Sequence, residues 1–457
     1  MILPPPNEFE IFSETLIIGA GACGMVAALA AEQSGQGVLV LERDEAPSGS
    51  TALSAGLIPA SGTRWQKELE ISDSVDLFID DIQAKASKQN DNEVVSSIAN
   101  ASASVLEWLA DEHGLNFSLV SDFDYPGHSR RRMHGLPSRS GKELIDALHN
   151  ACNKKNIDIV CRAHVTGIFA SNGIVRGVQI TRPNGEIEVI GCHRLILACN
   201  GFGGNPQMVA EYMSDISGAL YFGHGGNQGD AINWGVLLGA DTRHLGAYQG
   251  HGNVAHPHGI LISWAVISEG GFQVNTDGRR FWNEAQGYSE AARAVLDQKD
   301  GIAITIFDER IAKIARQFPD FRQAEALGAV RQANTLDELA AIMGLPSKML
   351  AKTLSDIDKN REFPKDTFGR NFDLSLKLIA PYFAVRVTGA LFHTQGGLVI
   401  DSVGRVKQKN GENMANLWAG GGAACGISGS GDSGYLSGNG LLTAVTLGRS
   451  AGLGNSI

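Results

Sequence analysis

The stretch Thr15-Leu16-Ile17-Ile18-Gly19-Ala20-Gly21-Ala22-Cys23-Gly24 decides the fold. It runs from an apolar segment into a turn punctuated by glycines. Thr15–Gly19 predicts a short buried strand, Cys23–Gln33 an alanine-rich helix and Val38–Leu41 a second apolar strand. In the run Gly19-Ala20-Gly21-Ala22-Cys23-Gly24 the first glycine permits a tight turn. The second lets backbone approach a pyrophosphate, and the third lets helix and strand pack closely. Free N–H groups and the helix dipole then hold phosphates. Glu42 ends the second strand, 23 residues after Gly19, where a carboxylate accepts hydrogen bonds from ribose hydroxyls. An acid at that place disfavours a 2′-phosphate, so NADP is a poor fit. The unit is a dinucleotide-binding β-α-β.

The rest of the composition suits a soluble α/β protein of ample core: 43% hydrophobic, 19% charged and 7% aromatic over 457 residues. Glycine stands out at 56 residues, above the usual share of roughly 7%. The glycines cluster between apolar runs, where backbone turns tightly or presses against a ligand. A net charge of −11 argues against nucleic acid or an anionic membrane as partner. Gly259–Ile267 is among the longest apolar stretches and too short to span a bilayer. The segment MILPPPNEFEIF has neither a positive n-region nor a small-residue cleavage site, so it does not read as a secretory signal. Six scattered cysteines without a CxxC pair argue against an iron–sulfur cluster, structural zinc or attached haem. Reduced thiols and a cytoplasmic location are the expectation.

Further along, 73–110 predicts helices with polar faces and Gly141–Asn153 another helix. Arg176–Ile180 and Glu186–Ile190 form a hairpin around Pro183-Asn184-Gly185, and Arg194–Ala198 is a separate buried strand. From Gly246 to Leu391 the texture becomes more charged, more helical and less rich in glycine. Val399-Ile400-Asp401 and Leu417-Trp418-Ala419 restore strand-like runs, and Ser437–Gly452 is a helix opened by glycine. The organisation read from this is a nucleotide-binding domain (1–245 and 392–457) split by an inserted cap (246–391).

Gly49-Ser50-Thr51-Ala52-Leu53-Ser54-Ala55-Gly56 after Glu42, Ala419-Gly420-Gly421-Gly422, and Ser437-Gly438-Asn439-Gly440 complete a pattern spanning nearly the whole chain. It resembles the fumarate reductase/succinate dehydrogenase flavoprotein superfamily, which includes the 3-ketosteroid dehydrogenases. The resemblance implies an α/β fold, a Rossmann-like FAD-binding domain of the GR2 type with an inserted α+β cap. It implies an extended FAD, its pyrophosphate at Gly19, Gly21, Ala22, Cys23 and Gly24, with Glu42 and Arg43 at the adenosine ribose. Ser50, Thr51, Ser54, Ala55 and Gly56 would line the isoalloxazine, and Val165 would lie near the adenine. Ala198, Asn200, Gly201, Ala419 and Gly420 would complete the envelope. Ser437, Asn439, Gly440, Leu441 and Leu442 would approach the pyrimidine edge. No histidine occupies Ser50–Gly56, where covalently flavinylated relatives carry one, so the FAD is expected to be non-covalent.

Gly278-Arg279-Arg280-Phe281-Trp282-Asn283-Glu284 is similar to the family segment that leads into a catalytic position in the cap. Fumarate reductases carry a proton-donating arginine at that position; here it is Tyr288. Their carboxylate-clamping arginine near the C-terminus is replaced in Tyr435-Leu436-Ser437-Gly438-Asn439. Two family histidines persist as His251 and His393. A fumarate site needs guanidinium forks to hold dicarboxylates, whereas phenols suit a neutral carbonyl. Tyrosine at both positions resembles the 3-ketosteroid dehydrogenases, the Tyr435-x-Ser437 element the Δ4-(5α) type above all, and also the desaturases of 4-oxocyclohexanecarboxylate. The resemblance implies α,β-desaturation of a cyclic ketone, with Tyr288 as base and Tyr435 and the Gly438 N–H on the carbonyl. Ser437 assists, and His251 and His393 orient. An unperturbed phenol ionises near pH 10, so a base needs a nearby donor or positive field. An external acceptor (oxygen, a quinone or a carrier protein) takes the electrons. The alternative is a fumarate- or urocanate-type reductase of an unsaturated acid, with Arg131 or Arg139 as clamp.

Three histidines, His251, His256 and His258, lie close in sequence, but their spacing and the absence of an adjacent acid or cysteine do not make a metal site. Arg130-Arg131-Arg132 reads as solvated loop charge, and Arg405, Lys407 and Lys409 as an exposed hairpin face.

Overall fold

A computed structural model describes residues 1–121, 123–361, 365–372 and 376–454. The predicted β-α-β is present as β1 (Ile11–Ile18), α1 (Ala22–Gln33) and β2 (Val38–Leu41). Every residue of α1 from Ala22 to Ala31 is buried, so its many alanines are packing residues rather than mere helix formers. They admit close neighbours on both sides. Gly19 explains the turn: its φ is +103°, and a Cβ there would lie 2.6 Å from the Ala198 carbonyl oxygen. Gly24 explains the close packing of helix on turn, since its Cβ would fall 1.9 Å from the oxygen of Gly19.

Next come two helices in place of the predicted helical run, α2 (Val75–Lys85) and α3 (Asn92–His113), then α4 (Gly141–Lys154). Ser74, Asp91 and Ser140 cap their N-termini with side-chain hydrogen bonds. Three strands follow: β3 (His164–Ser171), β4 (Ile174–Thr181) and β5 (Ile187–Leu197). β5 joins what the sequence divided into two strands. Its first part pairs antiparallel with β4, and its second part runs parallel to a later strand. That change of neighbour across Gly191-Cys192-His193 interrupts the hydrophobic pattern without interrupting the strand. The parallel part of the nine-stranded sheet places β5 beside β1, and β1 beside β2.

The middle of the chain, expected as an α+β cap more helical than its surroundings, is centred on a seven-stranded sheet with helices around it. Its strands include β6 (Tyr248–Ala255), β7 (Ile302–Asp308) and the long β8 (Tyr382–Thr394). All seven residues of β7 are buried, so this strand shows no alternation to read. A helix, α5 (Tyr288–Leu296), lies across β6 and β8 between β6 and β7 in sequence. It approaches closely because Gly252 and Gly389 face it: a Cβ at either would come within 2.4 Å of α5 atoms. The chain then returns to the first sheet as β9 (Asn413–Ala419), parallel to β5, and ends the described residues with α6 (Asn439–Leu453) packed against α1. The C-terminal ends of β1 and β5, the start of α1, the start of α6 and the end of β8 all meet at one cavity.

Candidate active site

The cavity has a volume of 540 Å³. One end is built from the glycine turn. Gly19, Gly21, Ala22 and Cys23 line it, and the α1 N-terminus there has no side chain from the capping residue Gly21 bonded to it. Thr51 Oγ1 takes the Ala22 N–H at 3.2 Å. Glu42 is 8% exposed and braces the turn as well as facing the cavity. Its two oxygens accept from Ala20 N–H at 2.8 Å and Asp44 N–H at 3.0 Å. Arg43 is tied to the Gly226 carbonyl at 3.1 Å. Burial pushes the thiols of Cys23 and Cys199, both in the lining, up to about 12, so neither is a thiolate at neutral pH.

The middle of the cavity is the segment Gly49–Leu57, with Val165, Ala198 and Asn200 opposite. Ser50 Oγ accepts from the Asn227 side-chain amide at 2.8 Å, and Ser54 Oγ donates to the Thr51 carbonyl at 2.7 Å. Both hydroxyls therefore hold the loop in shape. Gly440 and Leu441 line the wall beyond.

Several predicted cofactor residues do not line the cavity. Gly24 packs beneath Gly19, and Gly420 against Cys23. Gly201 closes on Thr394, whose hydroxyl would lie 1.9 Å from a Cβ there. Ala419, Asn439 and Leu442 are buried behind the lining, as is Ser437. Asn439 differs from the others. Both polar atoms of its amide are buried without a partner, at the first residue of α6. That amide is sealed from the cavity. The α1 N-terminus, which Gly21 leaves without a capping side chain, and the Glu42 carboxylate fit a flavin dinucleotide.

At the far end the structure brings Tyr288, Tyr435, His251 and His393 to the same cavity. Tyr288 is the first residue of α5, preceded by Gly287 with φ +131°. The rings of Tyr288 and Tyr435 meet edge to face with centroids 6.0 Å apart. Trp264, Trp282, Ile267 and Ala291 enclose them in an apolar cluster. Burial pushes the Tyr288 phenol well above the usual range, and the neighbouring Tyr435 adds to the effect. Burial also raises Tyr435, though only to about 12, because the Gly440 N–H, the Tyr288 hydroxyl and the Gly438 N–H favour its phenolate. The Gly440 N–H, in the first turn of α6, lies 3.5 Å from that oxygen. Burial lowers His251 to about 3 and His393 to about 4, so both are neutral imidazoles. His393 Nδ1 sits 2.9 Å from the Gln395 amide nitrogen, and the Gln395 oxygen accepts from Ser428 at 2.9 Å.

Sequence reasoning missed Tyr125, Trp264, Phe392 and Phe318, which also line this end. Phe392 precedes His393 in a family-like segment, Tyr125, Trp264 and Phe318 stand in no motif, and only the fold brings the four together. It also misread the arginine run. Arg132 is fully buried between Asp73 and Asp81 with its guanidinium over Phe78, so it is structural. Arg131 binds Asp124 and the Ser121 carbonyl and does not line the cavity. Arg139 does line it, with φ +50° and a hydrogen bond to Gln317 at 2.7 Å. Arg405 is not a free surface charge either, as it packs over Trp418. Among the described residues no group of three or more His, Cys, Asp or Glu side chains could hold a metal. No helix among them is long and apolar enough to cross a membrane.

Residues 14–441 match the family model FAD_binding_2, the FAD binding domain. The chain belongs to this flavoprotein family. A probable fumarate reductase of Shewanella frigidimarina is 31% identical over 447 residues, covering 96% of this chain and 74% of the relative. The open conformation of a flavocytochrome c3 fumarate reductase superposes with a TM-score of 0.80 at 30% identity, over 97% of this chain and 78% of that one. A 3-ketosteroid-Δ4-(5α)-dehydrogenase from Rhodococcus jostii RHA1, solved with 4-androstene-3,17-dione, gives 0.78 at 23% identity, over 98% and 97%. That last likeness is one of fold. The cofactor of this family member is FAD, and the protein is an oxidoreductase acting on carbon–carbon bonds.

Proposed function

We propose that this FAD-dependent enzyme desaturates a cyclic ketone beside its carbonyl. The observation that carries the reading is the Tyr288–Tyr435 pair, set in an aromatic cluster. The lining cations are Arg43, Arg139 and Lys142, of which Arg139 lies close enough to act on the Tyr125 phenol. His251 and His393 are neutral, so the groups stacked on and around the two phenols offer hydrogen bonds rather than charge. A keto oxygen matches that, and a dicarboxylate does not.

Tyr288 accepts the Cα proton while passing its own proton along the shared hydrogen bond to Tyr435. Ionisation falls first on Tyr435, where the N–H groups of Gly438 and Gly440 support the phenolate. Once reprotonated, Tyr435 donates to the developing enolate oxygen, with the Gly438 N–H beside it, and Ser437 assists from behind the lining through its hydrogen bond with Tyr288. His251 and His393 orient the ring, and Trp264 and Phe392 exclude water. Non-covalent FAD, held at the glycine turn and Glu42, would supply the two-electron chemistry, with an external acceptor for the electrons. The substrate class is a 3-oxosteroid or a ring of the 4-oxocyclohexanecarboxylate kind, and the location is cytoplasmic.

A second reading, reduction of an unsaturated carboxylic acid, is favoured by the fumarate reductase relatives and by Arg139 in the lining. Anaerobic addition of saturated cyclic ketones to the oxidised enzyme separates the two. Bleaching of the flavin band by 3-oxosteroids or 4-oxocyclohexanecarboxylate is the expected result. No bleaching by any ketone, together with reoxidation of the reduced enzyme by an unsaturated acid, would overturn it.

A further inference from the structure

Tyr288 stands on a helix of the seven-stranded layer, whereas the dinucleotide turn belongs to the nine-stranded one. Its position over the cavity therefore depends on a contact between the two layers. One such contact is Lys85, the last residue of α2, beside those that Ser289 and Arg293 make to Asp432. Its ammonium donates to the Gln286 carbonyl at 2.8 Å and forms an ion pair with Glu290. Gln286 and Glu290 flank Tyr288, two residues before it and two after. Both members of the ion pair are sheltered, at 14% and 9% side-chain exposure.

The turn they flank is held on its other side by Ser289, whose hydroxyl donates to the Asp432 carbonyl at 2.7 Å and accepts from the Gly250 N–H at 3.0 Å. Gly287 caps α5 without a side chain and adopts φ +131°, a backbone open to glycine at small cost and therefore soft. Glu290 Oε2 is buried with no partner; burial raises this carboxyl, and the Lys85 ammonium opposes that shift. The ammonium thus fixes two points of one turn, and the phenol hangs between them. The Tyr288 phenol is shifted first by burial and then by Tyr435, Ser437 and Tyr125.

We propose that Lys85 is a positioning residue: by clasping Gln286 and Glu290 it sets the Tyr288 hydroxyl over the substrate. The proposal rests on Tyr288 being the base. Displacing a reacting group by about 1 Å costs on the order of 100-fold in rate, so Lys85→Met should slow flavin bleaching by about that factor. Substrate affinity should be unchanged. Lys85→Arg should recover most of the loss, and Glu290→Gln should reproduce part of it without leaving a buried carboxylate. In a Tyr288→Phe background Lys85→Met should cost nothing more, because both changes remove one function. A loss that persists in that background, or full-speed bleaching by Lys85→Met, would overturn the proposal.

Hydrogen exchange of the holoenzyme tests the same idea without any substrate. The amides from Gly287 to Ala292 should exchange faster in Lys85→Met and in Glu290→Gln than in the parent. Unchanged exchange there overturns the proposal. Absence of bleaching in the parent would refute only the ketone reading.

Discussion

The imidazole of His251 stacks on the ring of Tyr288, with centroids 4.9 Å apart and planes 21° apart. Phe392 stacks on it at 5.2 Å, and Trp264 meets it edge to face at 5.8 Å. A ring held so is shielded from water, and burial drives its pKa down to about 3. His134 is buried too, with Nε2 2.9 Å from the Thr63 hydroxyl, and is lowered to about 4. Both native values lie below the unfolded value of about 6.5. Acidification therefore protonates the unfolded chain first, and stability present above pH 6.5 is lost as the pH falls toward 4. The unfolding free energy read from urea titrations should drop steadily across that interval, by roughly 3–5 kcal/mol per imidazole in the limit. His251→Phe should flatten the dependence; an unchanged slope in that variant would remove His251 as a source.

The two phenols lead to a prediction of opposite pH sign. Both are raised by burial, so the resting pair is neutral near pH 7. Proton abstraction needs one phenolate in the pair, and its fraction grows with pH. The rate of flavin bleaching by a ketone should climb continuously from pH 7 to 10 with no plateau. Tyr288→Phe and Tyr435→Phe should each lower that rate by roughly 10²–10⁴-fold while the visible spectrum of bound FAD stays intact. A pH-independent rate, or a Phe variant as fast as the parent, would exclude the pair from proton transfer.

Much of the first layer was legible because its signals are local. The turn from Gly19 to Gly24, the acid at Glu42 and the glycine before α6 each act through the backbone around them. The central sheet was not legible. β7 is buried on both faces and shows no alternation, and β8 pairs with strands brought from distant parts of the chain. The catalytic end divides the same way. Tyr288 and Tyr435 could be found from motifs, whereas Tyr125 and Trp264 reach the cavity through packing alone. Arg132 shows the converse error: a run of charge reads as solvated until the fold supplies Asp73 and Asp81.

Glu42 has two tasks, and its removal should show both. Its carboxylate accepts from Ala20 and Asp44, so it organises the turn before any ribose reaches it. Hydrogen bonds to a charged group contribute about 1.5–3 kcal/mol. Glu42→Ala should weaken FAD binding about 10–100-fold, read from the flavin released on dilution, and should also lower the melting temperature of the apoprotein. Loss of affinity with an unchanged apoprotein would mean that the brace is incidental and the ribose contact dominant.

Arg132 should behave in the contrary way. It pairs bidentately with Asp73 and also with Asp81, at zero exposure, far from any role with substrate. Removing one partner of such a group strands buried charge, at a cost of about 3–5 kcal/mol. Arg132→Met keeps the stem that covers Phe78 but leaves the Asp73 carboxylate buried and uncompensated. Denaturation should shift by that amount, while the flavin spectrum and bleaching rate of the folded fraction remain those of the parent. Replacing Asp73 by Asn in the same chain should restore part of the lost stability, because the stranded charge is gone. A specific fall in bleaching rate, with stability unaltered, would instead return Arg132 to the substrate site.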